Sequence, residues 1–156
     1  MNDYTKKITV NKAAADVYNA VTEHIADWWS NDLTGTAAHE GDSFNIAFGA
    51  TRKTFNITAA IPSKLVVWKC VKAHINMATL TNKSEWVGTK LFWTITAASQ
   101  GTTLTFLHEG LNDSFECYGV CEAGWNQFLA SLQAYLETGK GKPHLKKVAE
   151  KVKAEK

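Results

Sequence analysis

The chain has 156 residues, 45% of them apolar and 21% charged, with a formal net charge of +2. That is enough for one domain burying about 70% of its unfolded surface, and no run approaches the roughly 18 apolar residues of a membrane span. Residues 1–7 lack the apolar core of a signal peptide, and three cysteines make no disulfide framework, so the expected setting is the reducing cytoplasm.

Residues 3–10 end in Ile8, Thr9 and Val10 and read as a first strand. Asn11 is the expected N-cap of a helix from Ala13, in which Val17, Ala20, Val21 and Ile25 recur at spacings of three and four. Trp28 and Trp29 fall at its end or on a second short helix. Residues 30–42, rich in Asn, Asp, Gly and Thr, read as a loop.

A series of strands follows. Phe44, Ile46 and Phe48 alternate with polar or small residues up to Gly49, and Phe55, Ile57 and Ala59 alternate in the same way. Ile61-Pro62-Ser63-Lys64 is a turn, and Leu65–Val71 is the next strand. Gly88–Ala97 and Thr102–His108 form a hairpin around Ser99-Gln100-Gly101. Residues 74–85 fit either a long loop or a broken strand.

The last element is a long amphipathic helix from about Asp113 to Thr138. Asp113 and Glu116 have the spacing of a capping box. Phe115, Tyr118, Cys121, Trp125, Phe128, Leu132 and Tyr135 form the apolar stripe, and Gly139 and Pro143 end the helix. A twisted antiparallel sheet has one apolar face to cover, and only this helix is long enough to cross it. The expected fold is therefore α+β, a curved antiparallel sheet wrapped around a C-terminal helix, with a cavity under the helix's N-terminal half. Residues 1–143 make this domain. Residues 144–156 form a basic tail; from Lys140 onward there are seven lysines against Glu150 and Glu155. Leu145, Val148 and Val152 have helical spacing there, but a solvated terminus is the simpler expectation, and no nucleic-acid partner is assigned.

Ser84–Thr89, then Leu104–Leu111 with His108 and Glu109, then Gly124-Trp125 and Leu136–Gly141 together resemble the START-like (SRPBCC) superfamily. Within it, the resemblance is to the group of homologues of the heat-shock-protein-90 ATPase activator, and it runs from about Tyr4 to Pro143. It implies the helix-grip (Bet v 1-like) fold and a hydrophobic pocket. It leaves open a monomer or weak homodimer and a chaperone partner, and it implies no cofactor.

Few residues offer chemistry. His108 ends a strand on the face shared with Leu104 and Phe106, and is the one weak catalytic candidate, against a strand-end histidine bonded to backbone. Cys117 and Cys121 lie one helical turn apart. With His108 they would supply three zinc ligands, one short of a structural site, so packing is favoured and no metal is assigned. Trp28, Trp29, Trp68, Trp86, Trp93 and Trp125, with Phe48 and Phe106, are the candidate pocket lining alongside His108, Cys117 and Cys121, and about half of the tryptophans are expected to touch a cavity. The strand 65–71 is apolar on both faces, which suggests cover on its outer side, for example by a partner subunit. There is no phosphate loop, no Gly-x-Ser-x-Gly, no His-Glu-x-x-His and no Cys-x-x-Cys. The leading expectation is a binding protein for a small hydrophobic or amphipathic molecule. The alternatives are an enzyme using the same cavity and a chaperone-associated interaction module.

Overall fold

A computed structural model describes residues 3–146. The element order is β1 (Tyr4–Val10), α1 (Ala14–Ala20), a single 3-10 turn at Ile25–Asp27, β2 (Leu33–Gly35), β3 (Ser43–Phe48), β4 (Thr51–Ile61), β5 (Leu65–His74), β6 (Lys90–Ala97), β7 (Thr102–Glu109) and α2 (Tyr118–Thr138). The strands form one antiparallel sheet in the order β1-β7-β6-β5-β4-β3-β2, so a meander is completed by β1 pairing with β7. This is the expected α+β helix-grip arrangement. Among the described residues no helix is long and apolar enough to cross a membrane.

Period-two alternation sets the inner face. Tyr4, His108, Leu91, Trp68 and Ile57 fall in one cross-strand row, and Phe106 pairs with Trp93 and Trp93 with Val66. All of these except Tyr4, at 6%, are 2% exposed or less. On the outer face Val67 lies in a row with Ala59 and Phe92 and is itself buried. Cross-strand neighbours within the chain thus shield that apolar position.

Four local expectations need correction. Helix α1 starts at Ala14 with Ala13 at the N-cap and no side-chain cap, so Asn11 does not cap it. The loop after Trp29 contains the short edge strand β2. Strand β5 runs past Val71 to His74 and β6 starts at Lys90 rather than Gly88, with residues 75–89 between them as loop, one of the two alternatives for that stretch. Helix α2 begins at Tyr118, not near Asp113, because the Glu116 carboxylate accepts from Thr81 and Asn82 amides across the loop instead of folding back. The α2 stripe is also shifted: Cys121, Trp125, Leu129, Leu132 and Leu136 are buried, whereas Phe128 and Tyr135 are half-buried.

Gly139 ends α2 in the left-handed conformation, φ 85°, with its amide on Tyr135 O. The chain then folds back over residues 28–31. His144 N donates to Trp29 O and Asn31 N to His144 O, and Lys142 N donates to Ser131 Oγ, which itself donates to Trp28 O. A Cβ on Gly141 would lie 2.7 Å from Asp27 O, so only glycine permits this return. Paired structure therefore continues to Lys146, past the expected boundary at Pro143. The rest of the lysine-rich tail, with Val148 and Val152, lies outside the described residues.

Candidate functional site

The N-terminal half of α2 does not close fully onto β4. A cavity of about 210 Å³ remains, lined by Trp29, Phe48, Thr51, Lys53, Ile75, Met77, Trp86, Val120, Cys121, Gly124, Trp125 and Phe128. Its wall is mostly carbon, and Val120 at its rim is 55% exposed. The volume exceeds the roughly 150 Å³ apolar cavity that admits benzene. It is below the roughly 300–1,000 Å³ of typical ligand pockets. One small ring system or a short chain fits this space.

Each lining group is placed by a local cause. Strand alternation puts Thr51 and Lys53 on the same face of β4 as Phe55 and Ile57. Register pairs Thr51 with Phe48 and Lys53 with Ile46. The loop 75–89 brings in Ile75, Met77 and Trp86, and two carboxylates fasten it to the entrance of α2. Glu85 accepts from the Glu116 and Cys117 amides at 3.0 and 3.2 Å, and Glu116 accepts from Thr81 and Asn82, both at 3.0 Å. Those backbone hydrogen bonds hold the Glu116 carboxyl below its ordinary pKa.

The aromatic wall is a stack. Trp28, Trp29, Trp125 and Trp86 succeed one another at centroid distances of 5.9, 5.1 and 5.9 Å, with interplanar angles of 14°, 22° and 14°. The outer end of the stack carries a cation, with Lys53 Nζ 3.6 Å from the Trp86 ring centroid and 5.4 Å from that of Phe48. Desolvation lowers the Lys53 amine to about 8, against partial support from the neighbouring cysteine sulfurs.

Cys117 and Cys121 are free thiols with their sulfurs 2.7 Å apart, and Trp86 Nε1 donates to Cys121 Sγ at 3.3 Å. The hydrogen bond with Cys117 lowers Cys121 to about 7; Trp86 Nε1 and the Lys53 ammonium add to this, against burial. Cys117 moves upward as the partner that keeps its proton. Cys70, buried behind them, is pushed up to about 12 by desolvation.

His108 is completely buried, on the inner face as expected, but it does not line the cavity. Trp125 Nε1 donates to its Nδ1 at 3.1 Å, and Thr89 Oγ1 lies 2.9 Å from its Nε2. Because Thr89 donates its own proton to Trp86 O at 2.7 Å, it accepts from His108. The ring is therefore a neutral Nε2–H tautomer with both nitrogens occupied. Desolvation, then the nearby Lys53 cation, hold its pKa well below 6.5. A proton donor or acceptor for a ligand needs a free nitrogen facing that ligand, and His108 has none.

Of the residues expected to line a pocket, Trp29, Phe48, Trp86, Cys121 and Trp125 do so. Trp28, Trp68, Trp93, Phe106, His108 and Cys117 do not; they pack behind the wall. Among the described residues no three His, Cys, Asp or Glu side chains form a metal-binding group, so Cys117, Cys121 and His108 are not brought together as zinc ligands. The sequence reading missed Lys53. Its signal was the alternation of Phe55 and Ile57 carried two residues upstream.

A family model described as activator of Hsp90 ATPase homolog 1-like protein matches residues 11–137. No curated protein matches. Among solved structures, the chain is similar to the Aha1 dimer from Colwellia psychrerythraea, determined in solution. Identity is 27%, over 90% of this chain and 100% of that one, with a TM-score of 0.75. Protein MLL2253 from Mesorhizobium loti is 21% identical over 86% of this chain and 96% of its own, with a TM-score of 0.71. DynU16, from the dynemicin biosynthetic locus, is 22% identical with a TM-score of 0.69; 94% of this chain covers 51% of that protein.

Proposed function

The chain belongs to the family of activator of Hsp90 ATPase homolog 1-like proteins, and on that premise we propose that it binds a small apolar or amphipathic molecule between β4 and the first half of α2. The observation that carries this reading is the cavity itself, with Trp29, Trp86 and Trp125 in its wall. Well-packed interiors keep few voids larger than a water molecule. This hollow of about 210 Å³ opens to solvent past Val120, and its mostly apolar wall with three tryptophan rings is the kind of lining small-molecule sites use.

Native mass spectrometry of gently purified protein, with thermal shifts across a lipid and aromatic-metabolite library, tests the proposal. The expected result is a small-molecule adduct, or a raised Tm for one class of apolar compound. A ligand-free mass together with no shift across the library contradicts it. An enzyme using the same cavity would draw on Lys53 or Cys121, the reactive groups that line it, rather than on His108.

A second reading is favoured by the 27% likeness to the Colwellia Aha1 dimer. In it the chain is a chaperone-associated module that forms a homodimer. Sedimentation and pull-down from native lysate separate the two readings. A ligand carrier brings down a metabolite, whereas an adaptor self-associates and brings down a chaperone.

A further inference from the structure

Lys53 is hard to explain as packing. A lysine that merely covers apolar surface buries its stem and returns its ammonium to water. Here the ammonium lies over the face of Trp86 at 3.6 Å, among the cavity-lining residues, and Lys53 is the one formally charged side chain of that lining. Among the described residues it makes no ion pair, and neither a carboxylate nor a hydrogen bond contributes to its titration. Its polar neighbours in this half of the core are thiols, Cys121, Cys70 and Cys117, together with the neutral His108. Below about pH 7, where Cys121 keeps its proton, this partly buried cation has no counter-ion, which is costly to the fold because attraction to an aromatic face returns only part of the lost hydration. The ring face also occupies one side of the ammonium, which leaves its remaining N–H donors for a group entering the cavity.

We infer that Lys53 is the anchor for an anionic headgroup, so that the molecule held here is a small apolar body, one ring system or a short chain, bearing a single carboxylate. The inference rests on the ligand-binding reading above and specifies its chemistry. The tail would lie along Trp29, Trp125 and Phe128, and the carboxylate would pair with the Lys53 ammonium at the Trp86 end of the cavity. A second carboxylate would meet no further cation in the lining, so dicarboxylates are disfavoured.

Matched probes test this: 2-naphthoate against 2-naphthalenemethanol, and octanoate against octanol, titrated calorimetrically into the full chain. Wild type is compared with Lys53→Met and Lys53→Arg, each checked for an intact thermal transition. The expected result is that wild type binds each acid at least tenfold more tightly than its alcohol. Lys53→Met erases that preference by weakening the acid while leaving the alcohol within threefold, and Lys53→Arg restores part of it. Acid binding is also expected to be level below about pH 7 and to weaken above it. Cys121 first gains charge at about 7 and Lys53 then loses its own at about 8, while the neutral His108 and the proton-retaining Cys70 and Cys117 stay constant through that range. Equal affinity of wild type for acid and alcohol, or acid binding unchanged by Lys53→Met, overturns the anchor while sparing the cavity. Binding of none of the four probes overturns the anchor, and the cavity reading falls with it only if the wider library also gives no adduct and no shift.

Discussion

The six tryptophans fall into two halves of one aromatic cluster, and the halves differ in what stands behind the rings. Trp28, Trp68 and Trp93 are wholly buried and touch only core, with Phe44, Phe55 and Phe106 around them. Trp29, Trp86 and Trp125 are almost as buried, at 2–3% exposure, but face the cavity, a cation and a thiol. Residue type and burial are nearly the same in both halves. What separates them is that the second half borders an open cavity and a cation, whereas in the first half the Trp68 and Trp93 Nε1–H groups are buried without a partner. Both halves therefore carry a polar cost, and the open side is what marks the second half as able to take a ligand.

The largest expected effect concerns packing. Trp93→Ala should lower unfolding stability by about 3–5 kcal/mol, since a closed core collapses poorly around the void. Trp86→Ala, whose ring already borders open space, should cost about 2 kcal/mol by the same reasoning. Urea denaturation of both variants checks this, and equal losses would erase the distinction between the halves.

Next comes Lys53→Met. The fall from 10.5 to about 8 corresponds to at most roughly 3 kcal/mol of destabilisation. Partial exposure and the contact with Trp86 reduce it, so the variant should be about 1–2 kcal/mol more stable at pH 7 by these constants. The sign with pH follows from proton uptake. Between about 8 and 10.5 the unfolded chain holds the lysine proton more tightly than the folded one, so wild type gains stability as pH rises through that window. Lys53→Met lacks that gain, and the difference between the two pH–stability curves reports Lys53 together with the Cys121 charge coupled to it. A variant that is less stable than wild type would make Lys53 a structural residue.

The smallest effect lies at the seam between the halves. His108 is held neutral, so below its ordinary 6.5 the unfolded chain takes up a proton that the folded chain refuses. Wild-type stability should fall with acidity there, by up to about 1.4 kcal/mol per pH unit from this group. In His108→Gln that component should vanish in a pH series of thermal melts. An unchanged acid slope would mean that the imidazole is not sealed.

These contrasts show what the sequence could reveal. The strands, the hairpin, the C-terminal helix and its Gly139 stop were legible because each depends on local periodicity or a local backbone requirement. The start of α2 was not. Asp113 and Glu116 have the spacing of a local cap, but the amides at the helix entrance are taken by Glu85, 31 and 32 residues away. The inward direction of His108 was readable from Leu104 and Phe106, but its closure by Trp125 and Thr89 joins three separate elements. Lys53 was overlooked because a charged residue on a strand is ordinarily assigned to the wet face. The alternation that refutes this was present in Phe55 and Ile57.

The division into halves can be observed residue by residue. In protein labelled with ¹⁵N at tryptophan, the six indole N–H signals report both halves at once during titration with 2-naphthoate. The account predicts that Trp29, Trp86 and Trp125 shift in a saturable way while Trp28, Trp68 and Trp93 stay in place, and that Lys53→Met moves the same response to at least tenfold higher 2-naphthoate concentration. Saturable shifts of the buried three, or no response from the cavity three in wild type, would contradict it.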